Sequence, residues 1–389
     1  MAEAQIVGWA HSRFGKSEAA STLELMAEVV PPALAHAGLG AADVDAIFVG
    51  VFNNGFSAQD FQASLVAMGT PDLAHTPATR LENACATGSA AIHAALDFIG
   101  AGRGRVALVV GAEKMTAVPT AETGDILLGA SYRTEEAGVE GGFAGLFGRL
   151  AAHYFQRHGD RSDELAAIAA KNHRNGAANP YAHMQRDVGY AFCRDVSERN
   201  PLVAPPLRRT DCSLVSDGAA ALVLADAEIA ADLPRAVAFR GRRQANDILA
   251  LSRRDPIVFE GARRAWSQAL GDAGLTLDDL DLVETHDCFT IAELIEYEAM
   301  GLAAPGEGHR VVREGWTERG GRLPVNLSGG LKSKGHPIGA TGVSMHVMAA
   351  MQLCDEAGAM QLPGASLAGV FNMGGAAVAN YVSILERMR

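Results

Sequence analysis

Two stretches of the sequence place a thiol and an imidazole where they could transfer an acyl group. Cys85 stands where an apolar alternation ends and a helical pattern of small residues begins. The free N–H groups at a helix start favour the nucleophilic thiolate, and the neighbouring Ala84, Ala86 and Gly88 would leave room for a substrate carbonyl. His336 lies in a glycine-rich turn before another helix of small residues, and a cysteine nucleophile needs such a positioned base. The alternative is that Cys85 is a buried, inert thiol.

A third stretch adds a second thiol and a second imidazole. Residues 284–290 end an apolar run and read Glu-Thr-His-Asp-Cys-Phe-Thr. His286 and Cys288 therefore occupy alternate positions, and their side chains would point the same way if the strand continues through them. The alternative is that Cys288 is a passive strand residue.

Composition excludes several classes of function. The chain has 389 residues, 48% of them hydrophobic, and a net charge of −12 without a basic run, so nucleic acid is not an expected partner. The five cysteines are widely spaced and form no Cys-x-x-Cys pair, which predicts reduced thiols and no metal site. No apolar run reaches membrane-spanning length, and residues 1–14 lack a signal-peptide pattern. We therefore expect a soluble cytoplasmic protein with no membrane partner.

The second half of the sequence repeats features of the first. Ala-Gly-Leu at residues 37–39 recurs 236 residues later, each time after an amphipathic helix and before a strand. Ala-Thr-Gly-Ser at 86–89 is likewise echoed by Ala-Thr-Gly-Val-Ser at 340–344, at the head of the next helix. Two echoes in matching order indicate duplicated α/β halves. We predict an N-terminal half at residues 1–113 plus 211–232 and a C-terminal half at residues 233–389. Residues 114–210, rich in Gly, His, Arg and Asn, would be an insertion that covers a site or builds an interface.

The combination of motifs resembles the thiolase superfamily, and within it the sterol-carrier-protein type. The matching motifs, in family order, are Asn-Ala-Cys-Ala-Thr-Gly at 83–88, His-Asp-Cys-Phe at 286–289, Gly-His-Pro-Ile-Gly at 335–339 and Asn-Met-Gly-Gly at 372–375. The resemblance implies an α/β thiolase fold, with five layers (αβαβα) built from two duplicated halves. It also implies that the inserted loop domain shapes the acyl pocket and part of the coenzyme A (CoA) site.

The resemblance assigns a role to each motif. Cys85 would attack a thioester carbonyl after His336 removes its proton, and acyl-CoA and acetyl-CoA would be substrates with no bound cofactor. Ordinary thiolases carry a second acid/base cysteine in a Cys-x-Gly motif, but this chain reads Asn-Met-Gly there, so Cys288 is the candidate. The N–H groups of Cys85 and Gly374 would form one oxyanion hole, and the side chains of His286 and His336 the other.

Other interpretations stay open at this point. The chain could be a thiolase-like C-acyltransferase or aldolase acting on a steroid, aromatic or polyketide-like substrate, although thiolase-like aldolases usually lack the nucleophilic cysteine. It could also be a non-catalytic partner subunit beside a small OB-fold protein. The resemblance implies a homodimer or homotetramer. Lys332 and Lys334 would either meet CoA phosphates or be solvated, and Cys193 and Cys212 would be structural.

Overall fold

The computed structural model describes residues 4–389, so the first three residues of the predicted N-terminal half lie outside the described residues. Within that range the strands are β1 (Gln5–His11), β2 (Ala46–Gly50), β3 (Ala78–Leu81), β4 (Val106–Glu113), β5 (Leu202–Ala204), β6 (Leu207–Arg208), β7 (Gly218–Ala225), β8 (Val237–Asn246), β9 (Leu282–Glu284), β10 (Leu367–Gly374) and β11 (Ala379–Arg387). The helices are α1 (Thr22–Ala37), α2 (Leu65–Gly69), α3 (Thr87–Gly100), α4 (Thr120–Leu127), α5 (Arg133–Glu136), α6 (Gly142–His158), α7 (Ser162–Gly176), α8 (Tyr190–Arg194), α9 (Ala227–Ala231), α10 (Glu260–Ala273), α11 (Thr290–Ala299), α12 (Gly308–Arg313), α13 (Gly330–Lys334) and α14 (Ile338–Leu353).

Two half-sheets with the same strand order form the framework. The main sheet runs β3-β2-β4-β7-β1-β8-β11-β10-β9, and its halves meet through a short antiparallel contact between β1 and β8. In the second half Val325 pairs in parallel with Val283 of β9 and takes the place that β3 has in the first. Counted within each half, both sets of strands therefore follow the order 3-2-4-5-1.

Helices cover and separate the two half-sheets. Helix α1 packs on β1, β4 and β7, and α10 packs on β8 and β11, so each covers an outer face. Helices α3 and α14 lie between the half-sheets, and every residue of α14 is buried. A helix that is apolar all round belongs inside a protein, as the small and aliphatic residues of α14 indicate. The predicted five-layered fold is confirmed, whereas the predicted domain boundaries stay a prediction.

The two central helices touch through their backbones. A Cβ atom added at Gly88 would lie 2.7 Å from the backbone nitrogen of Val343, and one added at Gly342 would lie 2.3 Å from that of Ser89. The expectation that Gly88 leaves room for substrate is therefore wrong, because the space beside it is filled by α14. The glycines serve close helix packing instead.

Among the helices of residues 4–389, none combines the length and apolar character that crossing a bilayer requires.

Changing Gly88 to alanine tests this packing. We expect Gly88→Ala to lower the free energy of unfolding by about 1–3 kcal/mol, because the new methyl group forces α3 away from α14. Gly100 belongs to the same helix but has open space around it. We expect Gly100→Ala to be neutral or to stabilise by less than about 1 kcal/mol through helix propensity. Urea unfolding of both variants measures this, and equal stabilities would contradict the packing argument.

Candidate active site

The nucleophile candidate lies on a tight loop at the start of α3. Ala84 has a left-handed backbone conformation (φ 51°), and α3 begins at Thr87, two residues later than predicted. Cys85 itself is only 5% exposed. The local turn thus presents the thiol to the space between the two halves rather than to solvent.

Three other side chains singled out from the sequence converge at this thiol. Cys85 Sγ and one ring nitrogen each of His286 and His336 lie within 4.8 Å of one another, and all three residues are buried. The two imidazole rings are nearly perpendicular, with centroids 5.1 Å apart. Cys288 lines the same cavity as Cys85 and His336. The same atoms are of the types that bind zinc, so the absence of a metal stays a prediction.

The segment that carries His286 and Cys288 is a loop and not a strand. The condition for alternate side chains to point the same way is not met, because β9 ends before His286 and α11 begins just after the motif. Asp287 holds the loop in place by accepting N–H bonds from Leu331 at 2.6 Å and Lys332 at 3.1 Å. The aspartate of the motif therefore ties this loop to the turn that carries the second histidine.

The hydrogen bonds of His336 define its protonation. Its Nδ1 lies 2.7 Å from the Thr341 hydroxyl, which donates its own proton to the Pro337 carbonyl at 2.9 Å. The hydroxyl must therefore accept the Nδ1 proton, which leaves the lone pair on Nε2. Burial, assisted by the charge of Lys334, lowers the pKa of His336 to about 3. His336 is thus a neutral imidazole whose free nitrogen can accept a proton.

His286 stands in a different environment. Its Nδ1 lies 2.9 Å from Nδ2 of Asn372, and its Nε2 is buried without a hydrogen-bond partner among residues 4–389. Burial, assisted by His336, lowers the pKa of His286 well below its ordinary value. This ring is also neutral, with one nitrogen left for a ligand.

Both thiols are protonated in the resting site. Burial raises the pKa of Cys85 to about 12, although the N–H of Gly375 donates to the sulfur and works against this rise. Burial, with Cys85 next in importance, raises the pKa of Cys288 well above its ordinary value. The expected resting thiolate is therefore wrong, because desolvation outweighs the helix start. Cys85 must pass on its proton as it attacks.

The glycines that follow Asn372 fit against the nucleophile loop. A Cβ atom at Gly374 would lie 2.3 Å from the carbonyl oxygen of Asn83, so a side chain would displace this loop. In the resting site the N–H groups that reach the Cys85 sulfur are those of Gly375 and of Cys85 itself. The oxyanion role predicted for Gly374 stays a prediction.

A mostly apolar cavity of about 260 Å³ opens beside the thiols. The insertion supplies much of its wall, including Met115, Leu127, Phe143 and Val203. Cys212, which the sequence suggested was structural, also lines it. The lining suits an uncharged acyl group next to a nucleophile.

The two lysines near His336 have no access to solvent. Both are only 1% exposed. Lys332 donates to the carbonyl of Cys212, and Lys334 donates to the Ser344 hydroxyl at 2.8 Å. Both predicted alternatives are wrong, since each amine is used inside the fold and neither is solvated nor free for a phosphate.

Sequence reasoning missed another buried anchor, Glu113. Its carboxylate accepts N–H bonds from Phe52 at 2.9 Å, Asn53 at 3.0 Å and Gly339 at 3.0 Å. Burial raises its pKa to about 7. Glu113 thereby fixes the first turn of α14, directly after His336. The signal was an acidic residue that ends an otherwise apolar strand.

Comparison with known proteins agrees with this architecture. The family model for the thiolase N-terminal domain matches residues 4–228, and the model described as thiolase C-terminal domain-like matches residues 244–387. The chain belongs to the thiolase family. An acetyl-CoA acetyltransferase of Methanothermobacter thermautotrophicus is 35% identical to this thiolase over 100% of both chains. The thiolase described here is therefore an acyltransferase.

Two further comparisons place the thiolase among its relatives. Human sterol carrier protein 2 is 31% identical over 95% of this chain and 69% of its own length. A solved structure named Ltp2-ChsH2(DUF35) aldolase has a TM-score of 0.82 and 22% identity, covering 100% of this chain and 98% of its own. This last likeness shows the shared fold alone.

The Thr341 hydroxyl provides a test of the His336 assignment. We expect Thr341→Val to slow acylation of the enzyme about 10–100-fold, because His336 loses the acceptor that keeps its lone pair on Nε2. Thr341→Ser retains the hydroxyl and should stay close to the original rate. Single-turnover acylation followed by mass spectrometry measures both variants. Equal rates for valine and serine would contradict the assignment.

Proposed function

We propose that this thiolase is CoA-dependent and forms or cleaves 3-oxoacyl-CoA through an acyl-enzyme on Cys85. One observation carries the proposal: two thiols and the neutral His336 line one apolar cavity, and the neutral His286, with different hydrogen-bond partners, has a ring nitrogen within 4.8 Å of Cys85 Sγ and of a ring nitrogen of His336. A relative named acetyl-CoA acetyltransferase supports CoA thioesters as the substrates. No cofactor is needed beyond them.

The first half-reaction transfers an acyl group to the enzyme. Nε2 of His336 accepts the Cys85 proton while the sulfur attacks the thioester carbonyl. The resulting tetrahedral oxyanion would be held by the N–H groups of Cys85 and Gly374. The carbon–sulfur bond to CoA then breaks, and His336 returns the proton to the departing CoA thiolate.

The second half-reaction makes the carbon–carbon bond. Nε2 of His336 first takes the proton of the Cys288 thiol, and the Cys288 thiolate then removes a proton from C2 of acetyl-CoA. The enolate oxygen accepts hydrogen bonds from His286 and from the Nε2 proton that His336 now holds. The enolate carbon attacks the acyl group, the bond to Cys85 breaks, and His336 returns its proton to the Cys85 sulfur. In the cleavage direction the neutral Cys288 thiol protonates the enolate, a role that suits a thiol whose pKa is raised by burial.

The proposal also covers the domains, the location and the assembly of the enzyme. Residues 114–210 would form the loop domain that shapes the acyl pocket, between a half at 1–113 plus 211–232 and a half at 233–389. The enzyme would act in the cytoplasm, in lipid metabolism, as a homodimer or homotetramer. A small OB-fold protein would be its partner only if the purified chain is inactive alone.

A second candidate is a C-acyltransferase or aldolase that acts on a steroid, aromatic or polyketide-like substrate. The observation in its favour is the shared fold with the solved aldolase, which is named together with a DUF35 chain. Cys85 at the cavity counts against an aldolase, since that reaction does not need an acyl-enzyme. The presence of Cys85 at the cavity counts equally against the interpretation as a non-catalytic partner subunit.

Removing each thiol is predicted to block a different step of the reaction. With acetyl-CoA, Cys85→Ala should form no acyl-enzyme, whereas Cys288→Ala should still gain one acetyl group per chain. Both variants should lose thiolysis of acetoacetyl-CoA, by at least about 1,000-fold, since each removes a group that forms or breaks bonds.

Intact-mass spectrometry and a CoA-release assay measure these outcomes, and Cys354→Ala, at the far end of α14, is the matched control. Normal thiolysis by Cys288→Ala would contradict the assignment of the second thiol. An unmodified wild-type enzyme would contradict the proposed function.

The pH dependence of acylation tests His336 as the base. Its pKa of about 3 means that the imidazole stays neutral, so the acylation rate should remain nearly constant as the pH falls from about 8 to about 5. Stopped-flow measurement of CoA release in a single turnover would show this. A decline centred near the ordinary histidine pKa of about 6.5 would contradict the buried, neutral base.

A further inference from the structure

We propose that Asn372 is a positioning residue that sets His286 as the hydrogen-bond donor to the enolate and ties this donor to the nucleophile loop. The proposal rests on the thiolase function proposed above. It concerns a residue at the place where ordinary thiolases carry a catalytic thiol. Here the thiol is replaced by an amide, which can do no proton transfer but can orient its neighbours.

The contacts of Asn372 all lead to the active site. The residue lies at the end of β10 and is fully buried. Its Nδ2 lies 3.1 Å from the carbonyl oxygen of Cys85 and 2.9 Å from Nδ1 of His286. Its Oδ1 lies 2.8 Å from the hydroxyl of Ser89 in the first turn of α3. One amide thus joins the C-terminal half to the nucleophile and to a histidine of the site.

These contacts decide which way the amide faces. The carbonyl oxygen of Cys85 can only accept a hydrogen bond, so the NH₂ group of Asn372 must face it. The second hydrogen of the same NH₂ group then points at Nδ1 of His286, which must be the acceptor. The Ser89 hydroxyl donates to Oδ1 and completes a consistent set of bonds.

The protonation of His286 follows from this orientation. A neutral imidazole carries one proton, and an Nδ1 that accepts a hydrogen bond leaves that proton on Nε2. Nε2 of His286 is buried and unpartnered within the described part of the chain. An N–H group held there has no acceptor among the described residues, so an oxyanion of a bound substrate would complete its hydrogen bonding.

The two histidines therefore carry opposite tautomers because their neighbours differ. Thr341 accepts from Nδ1 of His336 and leaves that ring with a lone pair on Nε2. Asn372 donates to Nδ1 of His286 and leaves this ring with a proton on Nε2. One ring is prepared to take a proton and the other to stabilise negative charge. Thr341 thus makes His336 the base, and Asn372 makes His286 the hydrogen-bond donor, although the two side chains are chemically identical.

The central helices leave space for the Asn372 side chain. A Cβ atom at Gly342 would lie 2.5 Å from Oδ1 of Asn372, so α14 can pass the amide only because it has a glycine there. The backbone of Gly342 and Ser89 enclose the amide oxygen together, since the same Cβ atom would lie 2.7 Å from the Ser89 hydroxyl. Its orientation is therefore fixed before substrate arrives, as preorganised oxyanion stabilisation requires.

Two reactions of the same enzyme test the proposal. Acetylation of Cys85 by acetyl-CoA uses His336 and the backbone donors of the tetrahedral oxyanion, and it does not use His286. Exchange of the acetyl-CoA C2 protons with D₂O needs Cys288 and the donors that stabilise the enolate. The wild-type enzyme is measured first. Failure of the wild-type enzyme to acetylate overturns the proposed function itself, and is thereby distinguished from a failure of the Asn372 assignment.

The first variant removes both donor hydrogens at constant volume. Asn372→Leu should lower the rate of C2-proton exchange about 100–1,000-fold, the usual effect of losing an oxyanion donor, and lower acetylation less than about tenfold. Ser89→Ala, which keeps both donor hydrogens, is the matched control and should change either rate less than about tenfold. Equal losses of acetylation and exchange in Asn372→Leu would overturn the proposal, because they would indicate a packing role alone.

The second variant keeps the shape of the side chain but replaces the hydrogen-bond donor to His286 with an acceptor. In Asn372→Asp a carboxylate replaces the donor and draws a proton onto Nδ1 of His286. The other ionisable groups that face this histidine are Cys85, Cys288, His336 and Glu296, which accepts the backbone N–H of His286. None of these is altered by the substitution.

In Asn372→Asp at low pH, the His286 ring beside the carboxylate holds both protons and still donates from Nε2. As the pH rises it keeps the Nδ1 proton beside the carboxylate and loses the Nε2 proton. Proton exchange by Asn372→Asp should therefore fall with rising pH across a range in which wild-type exchange does not fall. A pH profile of Asn372→Asp that matches the wild type would overturn the proposal, and circular dichroism confirms that the compared enzymes are folded.

Discussion

The active site depends on the backbone contact between α3 and α14. Gly88 and Gly342 let the two central helices approach so closely that a Cβ atom at either glycine would lie less than 3 Å from the backbone of the other helix: 2.7 Å for Gly88 and 2.3 Å for Gly342. Cys85 precedes the first helix and His336 precedes the second, so their separation is a direct result of this contact. The half-sheets on either side hold the helices in place, and a side chain at either glycine would change the distance between thiol and base.

Buried polar side chains complete what the helices begin. Asp287 joins the loop of His286 to α13, Glu113 holds the start of α14, and Asn372 joins the nucleophile loop to β10. Each is removed from water, which is costly unless its hydrogen-bonding groups are satisfied, and each makes three hydrogen bonds. The reacting groups lie on loops, yet these anchors give the loops the rigidity of regular structure.

The sequence allowed the fold and the reacting side chains to be predicted, but not their protonation. The repeated Ala-Gly-Leu pattern and the four motifs are local signals, and Cys85, His286, Cys288 and His336 could be selected from them. The pKa of Cys85 depends on burial by segments far apart in the chain. The helix start alone suggested a charged thiolate, whereas burial keeps the thiol neutral. The contacts of Asn372 span almost 290 residues of sequence, so no local pattern could reveal them.

The buried lysines have a consequence for the enzyme's own chemical durability. The chain has five lysines against 28 arginines, and Lys171, Lys332 and Lys334 are enclosed and hydrogen-bonded. Lys114 is 11% exposed and paired with Asp217, which leaves Lys16 as the exposed lysine among residues 4–389. Acyl thioesters acylate free amines slowly without any catalyst, whereas guanidinium groups resist this. A surface whose positive charges come almost entirely from arginine therefore protects the protein from unwanted acylation by acyl thioesters.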